Sequence, residues 1–428
     1  MKRKLWPHLM EKALLVTIEL KTEAGTWGID DAARELEELS VASLVEPQDN
    51  IICICDKPTP NFLIGSGKAK ELAILAQELD VAVVIFSHDL SGTQQRNLEE
   101  IIGKKTIDRT QLILDIFARR ARSQEGKMQV ELAQLQYIMP RLVGKGIILS
   151  RLGGGVGTRG PGEQKLEVDR RIIRKRIDRL KKDLKSVSEH RKIMRKKRKD
   201  NCIPLVALVG YTSAGKSTLL NSLTASDQIV SSSLFTTLDP LAKNLKLPNG
   251  ENIIISDTVG FLHDLPHNLV EAFKATLEEV AQADLLIHVL DGSHALIYEH
   301  NKAVLQVLKQ LELEDKPIIT AINKIDLLED KSCLDNFAKD FNSPISISAK
   351  LGENLDKLLE KIQDFFSERM VFLDILIPHA RMDLVDIFHR QGKVEEISYL
   401  QNGIKVKVNL PRVLYQKLLK DRDLRNIC

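Results

Sequence analysis

The sequence predicts an α/β protein in four parts. These are an N-terminal parallel α/β domain, an antiparallel helical hairpin, a P-loop-type domain of mostly parallel sheet, and a small α+β C-terminal domain. Three observations predict this. Apolar strand-like runs alternate with amphipathic helix-like runs twice, first up to about residue 123 and again from Ile203 to about Ser367. Between these stretches, two segments of helical periodicity flank a glycine-dense interruption. Beyond Val371 the pattern changes to strand, helix, strand, turn, strand, helix. The expected boundaries are 1–123, 124–200, 201–368 and 369–428, and a chain of 428 residues is too long for one ordinary core.

In the first part, strands are expected over Ala13–Leu20, Asn50–Cys55, Val81–Phe86 and Lys105–Ile107. Helices are expected over Ile29–Leu44, Ser66–Leu79, Thr93–Ile102 and Arg109–Arg122. Gly65-Ser66-Gly67-Lys68 lacks the spacing of a phosphate loop and reads as the turn into a helix.

The hairpin follows from two apolar seams. Met128, Leu132, Leu135 and Met139 or Leu142 recur at helical steps, and Ile173, Ile177, Leu180, Leu184 and Val187 form a heptad seam. Gly144 through Gly162 cannot continue a helix at that density of glycine, so this stretch is expected to be the tip, carrying Lys145, Arg151 and Arg159. Between Arg170 and Lys199 sixteen Lys/Arg stand against three acids, although the whole chain has a net charge of only +3. A merely solvated face mixes both signs, so this one points to an acidic partner, RNA phosphate. Aromatic residues are almost absent there, which favours recognition of folded RNA by backbone and shape over base stacking.

The third part carries the chemistry. Gly210-Tyr211-Thr212-Ser213-Ala214-Gly215-Lys216-Ser217 fits G-x-x-x-x-G-K-[ST], between the apolar run Leu205–Val209 and a helix expected near Ser217. Such a turn wraps phosphates with its amides, a path that calls for small residues, and the helix N-terminus adds partial positive charge. Lys216 faces the β- and γ-phosphates and the Ser217 hydroxyl ligates Mg²⁺. Ile253–Ser256 leads into Asp257-Thr258-Val259-Gly260, a carboxylate for the magnesium through water and a glycine amide for the γ-phosphate. Phe235-Thr236-Thr237-Leu238-Asp239 supplies a loop for a second magnesium ligand, Thr237 being favoured over Thr236.

Base selection is expected from Asn323-Lys324-Ile325-Asp326, which closes the strand-like run Pro317–Ile322. A carboxylate at Asp326 accepts from the ring N–H and exocyclic amine of guanine, a donor pair that adenine lacks. Ser348-Ala349-Lys350 follows Ile345–Ile347 and offers a backbone amide to the guanine carbonyl. Four motifs in order, each at the end of an expected strand, predict a site for GTP and its product GDP. Lys216, Thr237 and Gly260 are the residues expected to carry the hydrolysis.

Composition excludes other classes. With 43% hydrophobic and 28% charged residues the chain is globular, not disordered. Five scattered cysteines without a C-x-x-C pair support neither a disulfide framework nor a zinc ribbon. Pro7, His8, Glu11, Lys12 and Glu19 interrupt the segment after Lys2, Arg3 and Lys4, so no signal-peptide core is expected. No apolar run reaches the roughly 18 residues of a membrane span. The expected setting is the cytoplasm.

The motifs also carry a family resemblance. Arg151-Leu152-Gly153-Gly154-Gly155-Val156-Gly157-Thr158-Arg159-Gly160-Pro161-Gly162-Glu163 resembles the signature of the HflX family of ribosome-associated GTPases, within the translation-factor class. So do Asp108-Arg109-Thr110, Gln129-Val130-Glu131-Leu132-Ala133-Gln134-Leu135 and Ser91-Gly92-Thr93-Gln94-Gln95-Arg96. The resemblance spans about residues 12 to 367. It implies binding to the large ribosomal subunit with splitting or rescue of stalled ribosomes, and it places Ser217 and Thr237 at the magnesium. Ser213 stands where the family commonly has Asn, and Thr236 where it commonly has Ala.

After Asp257-Thr258-Val259-Gly260 comes Phe261, where many GTPases have a glutamine that orients the attacking water. Phenylalanine cannot do this, so hydrolysis is expected to be slow alone and stimulated by the ribosome. His263 and His267, flanking Pro266, read as surface loop histidines. Neither DNA nor a membrane is expected as a partner, and the free protein is expected to be a monomer. Two rival functions share the same motifs, a ribosome assembly factor timed by GTP and an RNA-remodelling NTPase.

Overall fold

The computed structural model describes residues 10–21, 28–142, 161–200, 203–224, 235, 241–263, 274–328, 330, 332–368, 370–411, 414–415 and 418. In the N-terminal unit, strands β1 (Glu11–Leu20), β2 (Val45–Cys55), β3 (Val83–Phe86) and β4 (Lys105–Asp108) form one sheet in the order β2-β1-β3-β4. All three pairings are parallel. Parallel strands need crossover connections, and helices α1 (Ile29–Ala42), α2 (Ser66–Glu78) and α3 (Gly92–Ile102) supply them. Helix α4 (Arg109–Arg120) follows β4.

Both faces of this sheet are covered, and the strand period of two sorts its side chains. Leu14, Val16 and Ile18 of β1 pack with Leu72 of α2 and Leu98 of α3. Ala13 and Leu15 pack on the opposite side with Leu36 of α1 and Leu112 and Ile116 of α4. Helix ends are set locally. Ser91 and Gln94 form a capping box on α3, and Gly103 closes it in the left-handed conformation at φ 71°.

Helices α5 (Gln124–Arg141) and α6 (Pro161–Asp200) form the hairpin. Its seam holds Leu132, Ile177 and Leu180, with Met128, Leu135, Met139, Ile173 and Leu184 packed against them. Helix α6 starts at Pro161, two residues earlier than the glycine density led us to expect. Proline suits a first helical position, where its missing N–H costs nothing. The tip, including Arg151 and Arg159, lies outside the described residues.

Asp108 anchors the hairpin to the first sheet. It is fully buried and accepts hydrogen bonds from Gln111 N (2.8 Å), Leu90 N (3.1 Å), the Tyr137 hydroxyl (2.8 Å) and Arg141 Nη2 (3.0 Å). Burial pushes its carboxyl upward, and the Gln111 and Leu90 amides pull against that shift.

The third unit is a six-stranded sheet in the order β10-β9-β8-β5-β7-β6. Its strands are β5 (Leu205–Gly210), β6 (Leu241–Lys246), β7 (Asn252–Asp257), β8 (Leu285–Asp291), β9 (Ile318–Asn323) and β10 (Ile345–Ser346). Only β6 runs antiparallel to its neighbour. Beyond it, β11 (Met370–Ile377), β12 (Lys393–Leu400) and β13 (Gly403–Pro411) form an antiparallel sheet ordered β11-β13-β12. The turn at Gln401-Asn402 joins β12 to β13, as its residues predict.

Candidate nucleotide site

The candidate loop leaves the carboxyl end of β5, whose six residues are all buried, and runs into helix α7 (Lys216–Thr224). Ligands of open α/β sheets bind at this edge. Gly215 has φ 95°, and a Cβ there would lie 2.2 Å from Asn323 Nδ2, so no other residue fits. Ser213 also holds a left-handed φ of 59°, a local strain placed within the loop.

Lys216 is 6% exposed, and its Nζ donates to the carbonyls of Gly210 (3.1 Å) and Tyr211 (2.7 Å). Burial lowers its pKa to about 8, against the opposing pull of Asp257. The Ser217 hydroxyl donates to Asp257 Oδ2 at 2.6 Å, and Thr258 N donates to Asp257 Oδ1 at 3.0 Å. A buried hydroxyl and carboxylate side by side are hard oxygen donors, which suit Mg²⁺ when phosphates and waters complete its shell. Among the described residues no group of three His, Cys, Asp or Glu forms a metal cage by itself.

Three loops are stitched together on the base side. Asn323 donates through Nδ2 to Ala214 O (2.8 Å) and accepts at Oδ1 from Ala349 N (2.9 Å). The Ser348 hydroxyl donates to Asp326 Oδ1 at 2.6 Å and fixes that carboxylate. Lys324, at φ 63°, pairs with Asp291 at 2.6 Å. All four sequence motifs therefore meet at one edge of the sheet, with one part undescribed. Of 235–239 only Phe235 is described, and Thr236, Thr237, Leu238 and Asp239 lie outside the described residues.

Phe261 is 2% exposed and joins a core that extends into the N-terminal unit, with Leu262, Tyr211, Phe117 and Val130. Its backbone is pinned to the loop, Thr212 N donating to Phe261 O (2.9 Å) and Phe261 N to Gly210 O (3.1 Å). Phe235 packs edge-on against Phe117 with ring centroids 4.5 Å apart.

The residues missed in the sequence lie where the two α/β units meet. The Tyr211 hydroxyl donates to Glu35 Oε2 (3.0 Å) and accepts from His263 N (3.1 Å). Arg109 pairs with Glu35 and donates to His263 O at 2.6 Å, closing a ring. Sequence reasoning placed His263 as a surface loop histidine, but its backbone belongs to this ring. It also required small residues in the loop, yet Tyr211 is accommodated because its side chain is directed away from the loop. Its ring stacks on His300 at 3.8 Å. Burial holds His300 down at about 4, so the stacked imidazole is neutral at pH 7. The one available signal was Asp108-Arg109-Thr110, noticed as a motif without a role. A second junction ties the hairpin to the helix α8 (Lys274–Gln282): Arg191 bonds Glu125 at 2.8 Å and lies 3.6 Å from Glu278.

A β-sheet of this order, with a G-x-x-x-x-G-K-S turn at its carboxyl edge and Asn-Lys-x-Asp beside it, defines a P-loop GTPase. Sequence comparison narrows this. Residues 30–118 match the GTP-binding GTPase N-terminal family, 120–198 the GTP-binding GTPase middle region, and 205–324 the 50S ribosome-binding GTPase family. The chain is 46% identical to GTPase HflX of Caldanaerobacter subterraneus, over 95% of this chain and 93% of that one. It is 41% identical to GTPase HflX of Lacrimispora saccharolytica, over 98% of both. A solved GTP-binding protein of Sulfolobus solfataricus in complex with GDP shares 26% identity, covering 83% of this chain and 98% of that one, with a TM-score of 0.43. The chain belongs to the HflX family of GTPases; it binds GTP and hydrolyses it.

Proposed function

We propose that this GTPase works on the large ribosomal subunit in the cytoplasm, and that its bound state splits or rescues stalled ribosomes. The observation that carries the reading is the face of α6. Arg171, Arg174, Lys175, Arg179, Lys181, Lys182 and Lys185 are all exposed along it. Over residues 171–189 only Asp178, Asp183 and Glu189 answer them with acids. Arg176 is held by Glu131 in a two-pronged pair at 2.6 and 2.8 Å. Arg179 lies 3.9 Å from Asp183, and the other exposed cations of the row can release counterions on RNA phosphate. The match of 205–324 to a family described as 50S ribosome-binding supports the same partner.

In the proposed site, Lys216 and the loop amides leading into α7 hold the phosphates, the Thr212 amide being bonded to Phe261 O. Ser217 and Thr237 would hold Mg²⁺, with Asp257 supporting it. Mg²⁺ supplies neutralisation of the phosphate charge. Gly260 offers its amide to the γ-phosphate. Asn323, Lys324 and Asp326 with Ser348-Ala349-Lys350 take the guanine. Phe261 has no polar atom to hold the attacking water, so turnover alone is slow. The ribosome accelerates it through units bonded to the segment at His263 and to α8 at Glu278.

Sedimentation tests this. Assembled ribosomes incubated with the protein and a non-hydrolysable GTP analogue should shift to separated subunits. Unchanged ribosome profiles, with effects only on precursor particles, would instead support an assembly factor.

A further inference from the structure

Two consecutive residues at the end of β4 are bonded to different parts of the molecule. Asp108 closes the strand and caps α4, accepting from Gln111 N at 2.8 Å, and Arg109 is the first residue of that helix. Asp108 holds the far end of α5, where the Tyr137 hydroxyl donates to it at 2.8 Å and Arg141 Nη2 at 3.0 Å. The same arginine donates to Leu90 O at 2.6 Å and lies 3.5 Å over the Tyr137 ring, so these two side chains form one block. Arg109 holds the nucleotide side, through Glu35 and, at 2.6 Å, the carbonyl of His263. Thr110 fastens the pair to the end of β3, its hydroxyl donating to Asp89 at 2.5 Å.

These links make a short route. Arg141 is the last residue of α5, three positions before Gly144, where the glycine-dense stretch begins. His263 is two positions beyond Phe261, whose backbone is bonded to the phosphate loop in both directions. From Arg141 to His263 the route runs through Asp108, one peptide bond and Arg109. Asp108 is fully buried, so an α5 that shifts must either draw the carboxylate with it or leave a buried charge short of partners. A carboxylate drawn away from Gln111 N uncaps the turn of α4 that carries Arg109.

We propose that Asp108 and Arg109 are positioning residues that couple the tip end of α5 to the backbone after Gly260, so that displacement of α5 by a partner resets Phe261. The ribosomal form of the proposal rests on the function inferred above: the large subunit engages the tip, and the joint carries that engagement to hydrolysis. The joint itself belongs to the free chain. It gives Asp108-Arg109-Thr110 a role outside both the nucleotide site and the basic face of α6.

Hydrogen exchange at the amides of 259–263 in the full-length, nucleotide-free protein reads the joint without a ribosome. Tyr137→Phe removes one bond to Asp108 and keeps the ring, and Arg109→Met removes the bonds to Glu35 and His263. Each should speed exchange at 259–263 by about threefold or more. The double variant should be no faster than Arg109→Met alone, because both changes act on one route. Thr59→Val, which removes a hydroxyl bonded to Ile64 O in the same unit, should leave these amides at the wild-type rate. Wild-type exchange in Tyr137→Phe would overturn the proposal. Equal acceleration in Thr59→Val would overturn it too, because the effect would then be general loosening. Should Arg109→Met not fold, Arg109→Lys makes the same comparison.

Single-turnover hydrolysis at saturating large subunits reads the ribosomal form. Tyr137→Phe should bind GTP and cosediment with subunits as the wild type does, while losing about threefold or more of the stimulation. Full stimulation in that variant would overturn the coupling to hydrolysis. A wild type that large subunits neither bind nor accelerate would remove the inferred partner, and the exchange result would then decide the joint by itself.

Discussion

The phenol of Tyr211 donates a 3.0 Å hydrogen bond to Glu35, so a residue of the phosphate loop is bonded to the first helix of the N-terminal unit, 176 positions earlier. Glu35 also pairs with Arg109, and Arg109 reaches the carbonyl of His263 just beyond Phe261. The loop, the segment after Gly260 and two helices of the other unit are therefore one bonded ring. The ring is a direct bonded route between the N-terminal unit and the nucleotide site.

That coupling is measurable. Tyr211→Phe and Glu35→Gln should each lower stability by about 1 kcal/mol. Because the two side chains share one bond, the double variant should lose less than the sum, with a coupling of roughly 0.5 kcal/mol or more. Chemical unfolding of the four proteins checks it. Strict additivity would mean that the ring carries no energy.

The depressed lysine makes nucleotide binding pH-dependent. In the free protein the Lys216 pKa is lowered to about 8 by burial. Phosphate oxygens favour the charged form, so its pKa is higher in the complex and binding takes up a proton above about pH 8. GDP affinity should be flat below about pH 7 and fall by up to about tenfold per unit as pH rises past 8. Calorimetric titration in buffers of different ionisation enthalpy reads the proton directly. Flat affinity through that range would remove Lys216 from the phosphates.

Much of this was legible in the sequence, and the reasons are physical. β1 buries Leu14 and Leu15 on opposite faces, and a doubly covered parallel strand leaves just such an unbroken apolar run. The seam of Leu132, Ile177 and Leu180 follows directly from the heptad steps. Helix ends moved by a residue or two, as at Lys216 and Pro161, because caps and not periodicity set them. The ring could not be read. It joins Glu35, Arg109, Tyr211 and His263 across long separations by four links that follow no periodic pattern.

In the proposed site, base selection falls to Asp326, whose carboxylate Ser348 holds at 2.6 Å. Asp326→Asn inverts the donor–acceptor pattern presented to the base. GTP affinity should fall by about a hundredfold or more, and xanthosine triphosphate should bind better than GTP. Fluorescence competition between the two nucleotides checks both. Unchanged GTP affinity would place the guanine pocket elsewhere.

The basic row on α6 should act on the partner and not on the nucleotide. Replacing Arg171, Arg174 and Lys175, all exposed, with glutamate should leave GTP affinity at wild-type level. Binding to large subunits should weaken, and its salt dependence should become shallower as ionic contacts are lost. Alanines at Gly153, Gly154 and Gly155 in the tip should leave GTP binding intact and abolish splitting. Cosedimentation across a salt series, with subunit profiles for the tip variant, separates these effects from simple misfolding.

In the proposed function, Phe261 leaves the isolated site unable to position water, and the large ribosomal subunit makes good the deficit. Single-turnover GTP hydrolysis with and without purified large subunits tests it most directly. The expected result is a slow rate alone, an increase of about tenfold or more with subunits, and neither rate in Lys216→Ala. Fast turnover by the isolated protein, or a rate indifferent to added large subunits, would contradict it.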